Sequence, residues 1–199
     1  LPILLAPIAR LIATGLTPVV NNTLIKIGDI IQSSTDTNPL IMGIVLGGII
    51  TVVGTAPLSS MALTALLGLT GAPMAIGAMA AFSSAFMNSA LFHRLKLGDR
   101  KSTISVGIEP LSQADIVSAN PIPIYVTNFF GGAIAGIIIA WSGMINNATG
   151  TATPIAGFLV MFGFNSLTKV IIYGVVMAII GTIAGIVGSI VFKKYQIGR

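Results

Sequence analysis

The stretch VIIYGVVMAIIGTIAGIVGSIVF, Val170–Phe192, decides the fold class. It carries no ionised side chain, and the basic pair Lys193-Lys194 follows it directly. A helix of that length, rising about 1.5 Å per residue, is long enough for a hydrocarbon core of about 30 Å. Three further runs of the same kind lie upstream: Ile122–Trp141, Pro73–Phe92 and Pro39–Leu58. The whole chain is 54% hydrophobic and 8% charged. An ordinary soluble domain carries about 25% charged residues. Too few polar side chains remain to clothe a soluble surface. The sequence therefore predicts an all-α integral membrane protein, a polytopic helical bundle.

Basic residues set the expected orientation. Arg94, Lys96, Arg100 and Lys101 follow the second run, and Lys193, Lys194 and Arg199 follow the fourth. Basic clusters mark cytoplasmic helix ends, so the runs are expected to point outward, inward, outward and inward in turn. Between them, Ser59–Ala72 and Ile155–Leu167 are apolar but too short to cross, which reads as two re-entrant or interfacial pieces. Asn38-Pro39 recurs as Asn120-Pro121, Gly47-Gly48 as Gly131-Gly132, and Phe82-x-Ser84 as Phe164-x-Ser166, at an offset of about 82 residues. Span, short piece, span would then form a unit repeated in parallel orientation.

One membrane domain, 1–199, is expected, with four parts. Residues 1–37 are amphipathic or broken helices, 38–93 the first unit, 94–119 a basic loop with a re-entrant segment, and 120–199 the second unit. Within the first part, Pro2, Pro7 and Pro18 interrupt any helix. Pro18–Gln32 reads equally as an interfacial amphipathic helix, with Ile27, Ile30 and Ile31 on its apolar face, or as a kinked span. The chain begins Leu-Pro rather than Met with no visible signal peptide, which leaves open whether it is a piece of something longer.

The polar chemistry is concentrated in His93–Pro121. That stretch holds the only histidine, the only glutamate and two of the four aspartates. Zero cysteines exclude disulfides and cysteine metal sites, and one histidine offers no metal cluster; no cofactor and no catalytic residue is expected. The net charge of +5 is read as topology and contact with anionic lipid, not nucleic-acid binding. In Gly107-Ile108-Glu109-Pro110 the glycine permits unusual backbone angles and the proline biases Glu109 towards an extended conformation. A turn would present the carboxylate, whose oxygens accept hydrogen bonds, as adjacent sugar hydroxyls require. The same residues also fit a cytoplasmic loop in which Glu109 pairs with Arg100 or Lys101. The residue types leave both readings open.

Gly107-Ile108-Glu109-Pro110, after a basic loop and ahead of a span, resembles the Gly-Ile-(Thr)-Glu-Pro motif of enzyme IIC. Enzyme IIC is the membrane permease component of the phosphoenolpyruvate-dependent sugar phosphotransferase system. The Gly-rich spans and short pieces are similar to enzyme IIC-like regulators of the perfringolysin O regulator type. The resemblance implies that Glu109 binds sugar hydroxyls from a re-entrant loop, with Gly107 shaping the turn. It also implies a histidine near the sugar, for which His93 is the candidate; alternatively His93 caps the second span. Gln113, Asp115, Asn120 and Asn128 are the candidate supporting groups, and Asn21-Asn22 and Asn146-Asn147 are weaker ones. Partners implied are a sugar or polyol, membrane lipid, cytoplasmic phosphotransferase subunits that supply the phosphoryl group, and a second copy in a homodimer. The chain departs from transporting enzyme IIC domains in being smaller, with fewer spans. The expected function is binding and inward movement of a sugar at the bacterial plasma membrane. A membrane sensor without transport and an ion-coupled carrier or channel are the rivals. An intramembrane protease is a poor fit, because the four spans lack any ionised residue.

Overall fold

The computed structural model describes residues 38–197 without a break and helical positions 22, 25–27, 29–31 and 33 before them. The proline-interrupted stretch expected in 1–21 lies outside the described residues. Eight helices follow in order: α1 Pro39–Thr55, α2 Ser60–Leu66, α3 Gly71–Leu95, α4 Arg100–Ile108, α5 Ala114–Ala119, α6 Pro121–Ser142, α7 Pro154–Val160 and α8 Leu167–Val191. Two 3-10 turns, Pro110–Gln113 and Met161–Gly163, extend the short helices. No strand occurs among the described residues, and the expected all-α membrane bundle is what the chain forms.

Local chemistry sets the helix ends. The Asn38 carboxamide accepts from Leu40 N at 2.9 Å and Pro39 occupies the first turn, so α1 starts there. Ala56 precedes Pro57 and is extended, at φ −66° and ψ 162°, so α1 stops short of the expected Leu58. α3 ends when Lys96 adopts a left-handed conformation at φ 57° and Leu97 N donates to the Phe92 carbonyl.

Three helices, α3, α6 and α8, are long and apolar enough to cross a membrane, whereas α1 has 17 residues and is shorter. α3 is the central helix and the most enclosed; α8 is the most peripheral, presenting Ile171, Val175, Ile179 and Ile183 outward. Contacts give the directions. Gly181 lies against Ser83, Gly185 against Met87, and Arg94 bonds Ser189, so α3 and α8 run together. Gly131 meets Met87, and Ile124 clusters with Leu91 and Phe92, so α6 runs against α3. Both basic clusters therefore lie at one end of the bundle, as the charge pattern predicted.

α1 corrects the expected topology. Gly43 packs on Ile137, Gly48 on Phe129, and Thr51 bonds Asn128, so α1 opposes α6. Ile50 reaches Gly77 while Thr55 bonds Asn88, so α1 runs in the direction of α3. The first run is not an outward span. It enters from the end where α3 begins and stops at Thr55, beside Asn88, about seven residues short of the end of α3. The chain then returns through α2, where Ser60 Oγ donates to the Ala152 carbonyl at 2.7 Å. The parallel repeat fails for the same reason, since α1 and α6 would have to run together. Apolar length carries no information about direction; the return through Ala56–Leu69 does, and it is set by tertiary contacts.

One interior group lacks a partner. Thr127 Oγ1 on α6 is the buried side-chain polar atom left without a hydrogen bond among the described residues, pressed against Gly188. A buried, unsatisfied hydroxyl costs about 1–3 kcal/mol, and a similar shape without it loses that cost. Thr127→Val is therefore expected to raise Tm by a few degrees in a thermal unfolding scan, at about 2–4 °C per kcal/mol. A lower Tm would mean that the hydroxyl is bonded.

Candidate functional site: two hairpins meeting beside α3

The polar stretch forms a hairpin laid back along α3. Asp99 caps α4, accepting from Ser102 N at 2.8 Å and Ser102 Oγ at 3.0 Å. These bonds hold its carboxyl below the usual range. Gly98, at φ 77°, packs against Ser102 and the Ile116 methyl, so outgoing and returning arms close at the basic end. α4 runs back until Gly107 rests on α3, where a Cβ would stand 2.5 Å from Ser89 Oγ and 3.2 Å from the Ala85 carbonyl. The chain reverses at Glu109, which is extended at φ −145° because Pro110 follows. Ser112 N and Oγ donate to the Glu109 carbonyl at 3.0 and 2.7 Å, and Leu111 N points at Glu109 Oε1 at 3.4 Å. The return arm ends where Val117 joins Leu91, Phe92 and Leu95.

Gly107, two residues before the reversal, lies against Ser89 and the Ala85 carbonyl, which places the tip roughly 9–15 Å inside the end of α3. A salt bridge to Arg100 or Lys101, one α4 length away at the basic end, does not form. Glu109 is exposed on the flank of this single chain, next to Ile108 and Leu111, which are exposed as well.

A second hairpin enters from the opposite end. Thr153 Oγ1 caps α7 by accepting from Gly157 N at 3.1 Å. Gly157 packs on Ala78, and the Phe158 ring stacks on Phe82 at 4.2 Å and covers Gly174 of α8. The chain returns to its entry end at Asn165, whose carboxamide accepts from Ile145 N and donates to the Ile145 carbonyl at 2.8 Å. α4 and α7 touch each other along α3. α2 is also short, as expected, and lies beside the 146–152 loop rather than at the hairpin tips.

A buried polar network lies at the same level. Asn128 Nδ2 donates to Asn88 Oδ1 at 2.7 Å and to the Ile124 carbonyl at 2.9 Å; Asn88 Nδ2 donates to Thr55 Oγ1 at 3.2 Å. The Thr51 hydroxyl donates to the Asn128 carbonyl at 2.8 Å. All four residues are essentially inaccessible, and together they tie α1, α3 and α6 at one depth. The 3-10 turn after Glu109 packs on α1.

Of the expected site residues, Glu109, Gly107 and Asn128 thus share one level of the bundle. The others lie elsewhere. Gln113 turns back onto Ser112, its Nε2 donating to the Ser112 carbonyl at 2.8 Å. Asp115 is exposed near Lys96 and Gly98 at the basic end, and Asn120 is buried where α6 starts, donating to the Ile116 carbonyl at 3.0 Å. His93 is exposed in the last turn of α3, about two turns beyond Ala85 and without a bond to Glu109. Asn146 and Asn147 serve as turn staples: Asn146 N donates to the Gly71 carbonyl and Gly71 N to Asn147 Oδ1. Of the remaining pair, Asn22 is an exposed helical position and Asn21 lies outside the described residues. No cluster of three metal-ligating side chains occurs among the described residues.

Residue reading missed Asn88, Thr51 and Thr55. Asn88 could have been found, because a carboxamide inside an otherwise apolar span needs a partner. Asn128→Leu would leave Asn88 Oδ1 without its donor, at about 1–3 kcal/mol, while Asn88 Nδ2 keeps its bond to Thr55. We expect it to lower Tm by several degrees, and the double change with Asn88→Leu to recover part of the loss. Purely additive effects would show that the two carboxamides do not interact.

Helices long and apolar enough to cross, with broken-helix hairpins running back from both ends and meeting beside one of them, define a helical membrane protein. The chain belongs to the phosphotransferase system EIIC family: the family model described as "Phosphotransferase system, EIIC" matches residues 1–199. It is thus an EIIC-like membrane component of the phosphotransferase system. Searches of curated proteins and of solved structures return no match.

Proposed function

We propose that the protein binds a sugar or similar polyol at the Glu109 tip and moves it across the cell membrane, which the chain crosses several times. The observation that carries this reading is the depth of the reversal. A carboxylate roughly 9–15 Å inside the end of a spanning helix is costly against hydrocarbon and needs polar company. A polyol supplies it, because its hydroxyls are adjacent donors and the carboxylate oxygens are acceptors only. Irregular backbone at that depth is tolerated where it lines a cavity. Family membership supports a sugar as the solute and phosphotransferase subunits as the source of the phosphoryl group. Asn128 and Asn88 act behind the site by fixing α1 and α6 against α3, while Asp115 and His93 act at the mouth of the basic end.

Uptake of radiolabelled sugars into proteoliposomes, run beside equilibrium binding of the same sugars, tests the proposal. Saturable binding with uptake is the expected result. Binding without uptake would make the protein a sensor, and cation binding without sugar binding would make it a cation carrier.

A further inference from the structure

At the basic end, the last turns of α3 and α8 enclose a groove of about 470 Å³ lined by His93, Arg94, Lys96, Ser189 and Lys193. Arg94 is held in place. Its Nε donates to Ser189 Oγ at 2.8 Å, and Ser189 is itself 5% exposed and donates to the Ile186 carbonyl. With Nε engaged, the two terminal nitrogens of the guanidinium keep their donors for an anion, in the planar fork that matches phosphate oxygens.

Two ordinary explanations for this cluster do not account for it. Cations near helix C-termini often cap carbonyls, but none of these side chains makes such a bond, and the ends of α3 and α8 are closed by backbone donors from Leu97 and Lys193. Nor is the cluster neutralised by a carboxylate among the described residues. Asp115 lines the adjoining groove that shares Lys96 and makes no ion pair with it. Directly beside the groove, Ile190 and Val191 of α8 are exposed and apolar.

We propose that this groove is a binding site for the headgroup phosphate of an anionic phospholipid. The Arg94 fork would grip the phosphate, Lys96 and Lys193 would add charge, and the acyl chains would lie on the exposed apolar face of α8. The adjoining lipid-facing surface favours a lipid over free phosphate. The inference is independent of the sugar site, which lies about 8–14 Å from Arg94 along α3.

The test uses the full chain in nanodiscs of phosphatidylcholine alone or with one quarter phosphatidylglycerol, with retained lipid counted by native mass spectrometry. We expect one phosphatidylglycerol retained per chain. Arg94→Gln and Lys193→Gln should lower its occupancy at least fivefold, and Ser189→Ala, which keeps every charge, should lower it less. Lys169→Gln, at the opposite end of α8, should leave it unchanged. If Arg94→Gln does not fold, Arg94→Lys replaces it and is expected to bind more weakly than the wild type, having lost the fork but kept the charge. Equal occupancy in wild type, Arg94 variant and Lys193→Gln overturns the proposal. So does displacement of the lipid by millimolar inorganic phosphate, which would make the site one for a free anion.

Discussion

Glu109→Gln is expected to weaken sugar binding by about 10- to 100-fold and to abolish measurable uptake. The glutamine keeps the shape of the side chain but has one acceptor oxygen where the carboxylate has two, and it carries no charge. Each charge-assisted hydrogen bond contributes roughly 1.5–3 kcal/mol, and 1.4 kcal/mol is a factor of ten in affinity. Folding should be little affected, because the tip depends on groups that glutamine leaves in place. Those are the Pro110 constraint, the Ser112 bonds to the Glu109 carbonyl and the seating of Gly107 on α3. Isothermal titration with the sugar that the wild type binds, together with a thermal scan, separates the two effects. Unchanged affinity and unchanged Tm would remove Glu109 from the site, whereas a collapsed Tm would show that its carboxylate is structural.

Gly136→Leu is expected to cost at least about 3 kcal/mol of stability, at the upper end of what overpacking a core usually costs. α1 and α6 meet through two Gly-x-x-x-Gly pairs, Gly43 with Gly47 and Gly132 with Gly136. A Cβ on Gly136 would overlap the Gly43 carbonyl, and one on Gly47 the Gly132 carbonyl. The obstacle is backbone and cannot rotate away, so the helices must separate. Separation would also pull Thr51 from the Asn128 carbonyl and loosen the polar network at the level of Glu109. We therefore expect a lower Tm together with weaker sugar binding, a pairing that Glu109→Gln does not produce. Gly163→Leu is the control, because a Cβ there meets nothing within 4 Å. A Gly136→Leu Tm equal to that of the control would show that α1 and α6 do not approach as closely as described.

The motif around Glu109 and the depth of Glu109 were legible to different degrees. Gly107-Ile108-Glu109-Pro110 identified the turn, because proline restricts the residue before it. Its position along α3 depended on Gly107 fitting under Ala85 and Ser89, a contact between residues of different helices. The same holds for the network. Asn128 was visible as a polar residue in an apolar run, but its partners Asn88, Thr51 and Thr55 are distant in sequence, and spacing alone did not pair them. His93 is the reverse case, since a lone histidine near a proposed sugar site invites a role that its place at the end of α3 does not bring into contact with Glu109.

By itself the sequence determined that this is a helical membrane protein with its basic ends on one side, because uncharged length and the placement of lysine and arginine are one-dimensional properties. It also placed a turn at Glu109-Pro110, whereas the end of α1 at Thr55, ahead of Pro57, falls short of what its uncharged length indicated. Only the tertiary structure decided that α1 enters beside the start of α3 and turns back, that α4 folds inward along α3, and that α7 comes to meet it. Each of these depends on which small residues of one helix lie opposite which of another, and close packing between distant segments sets that correspondence.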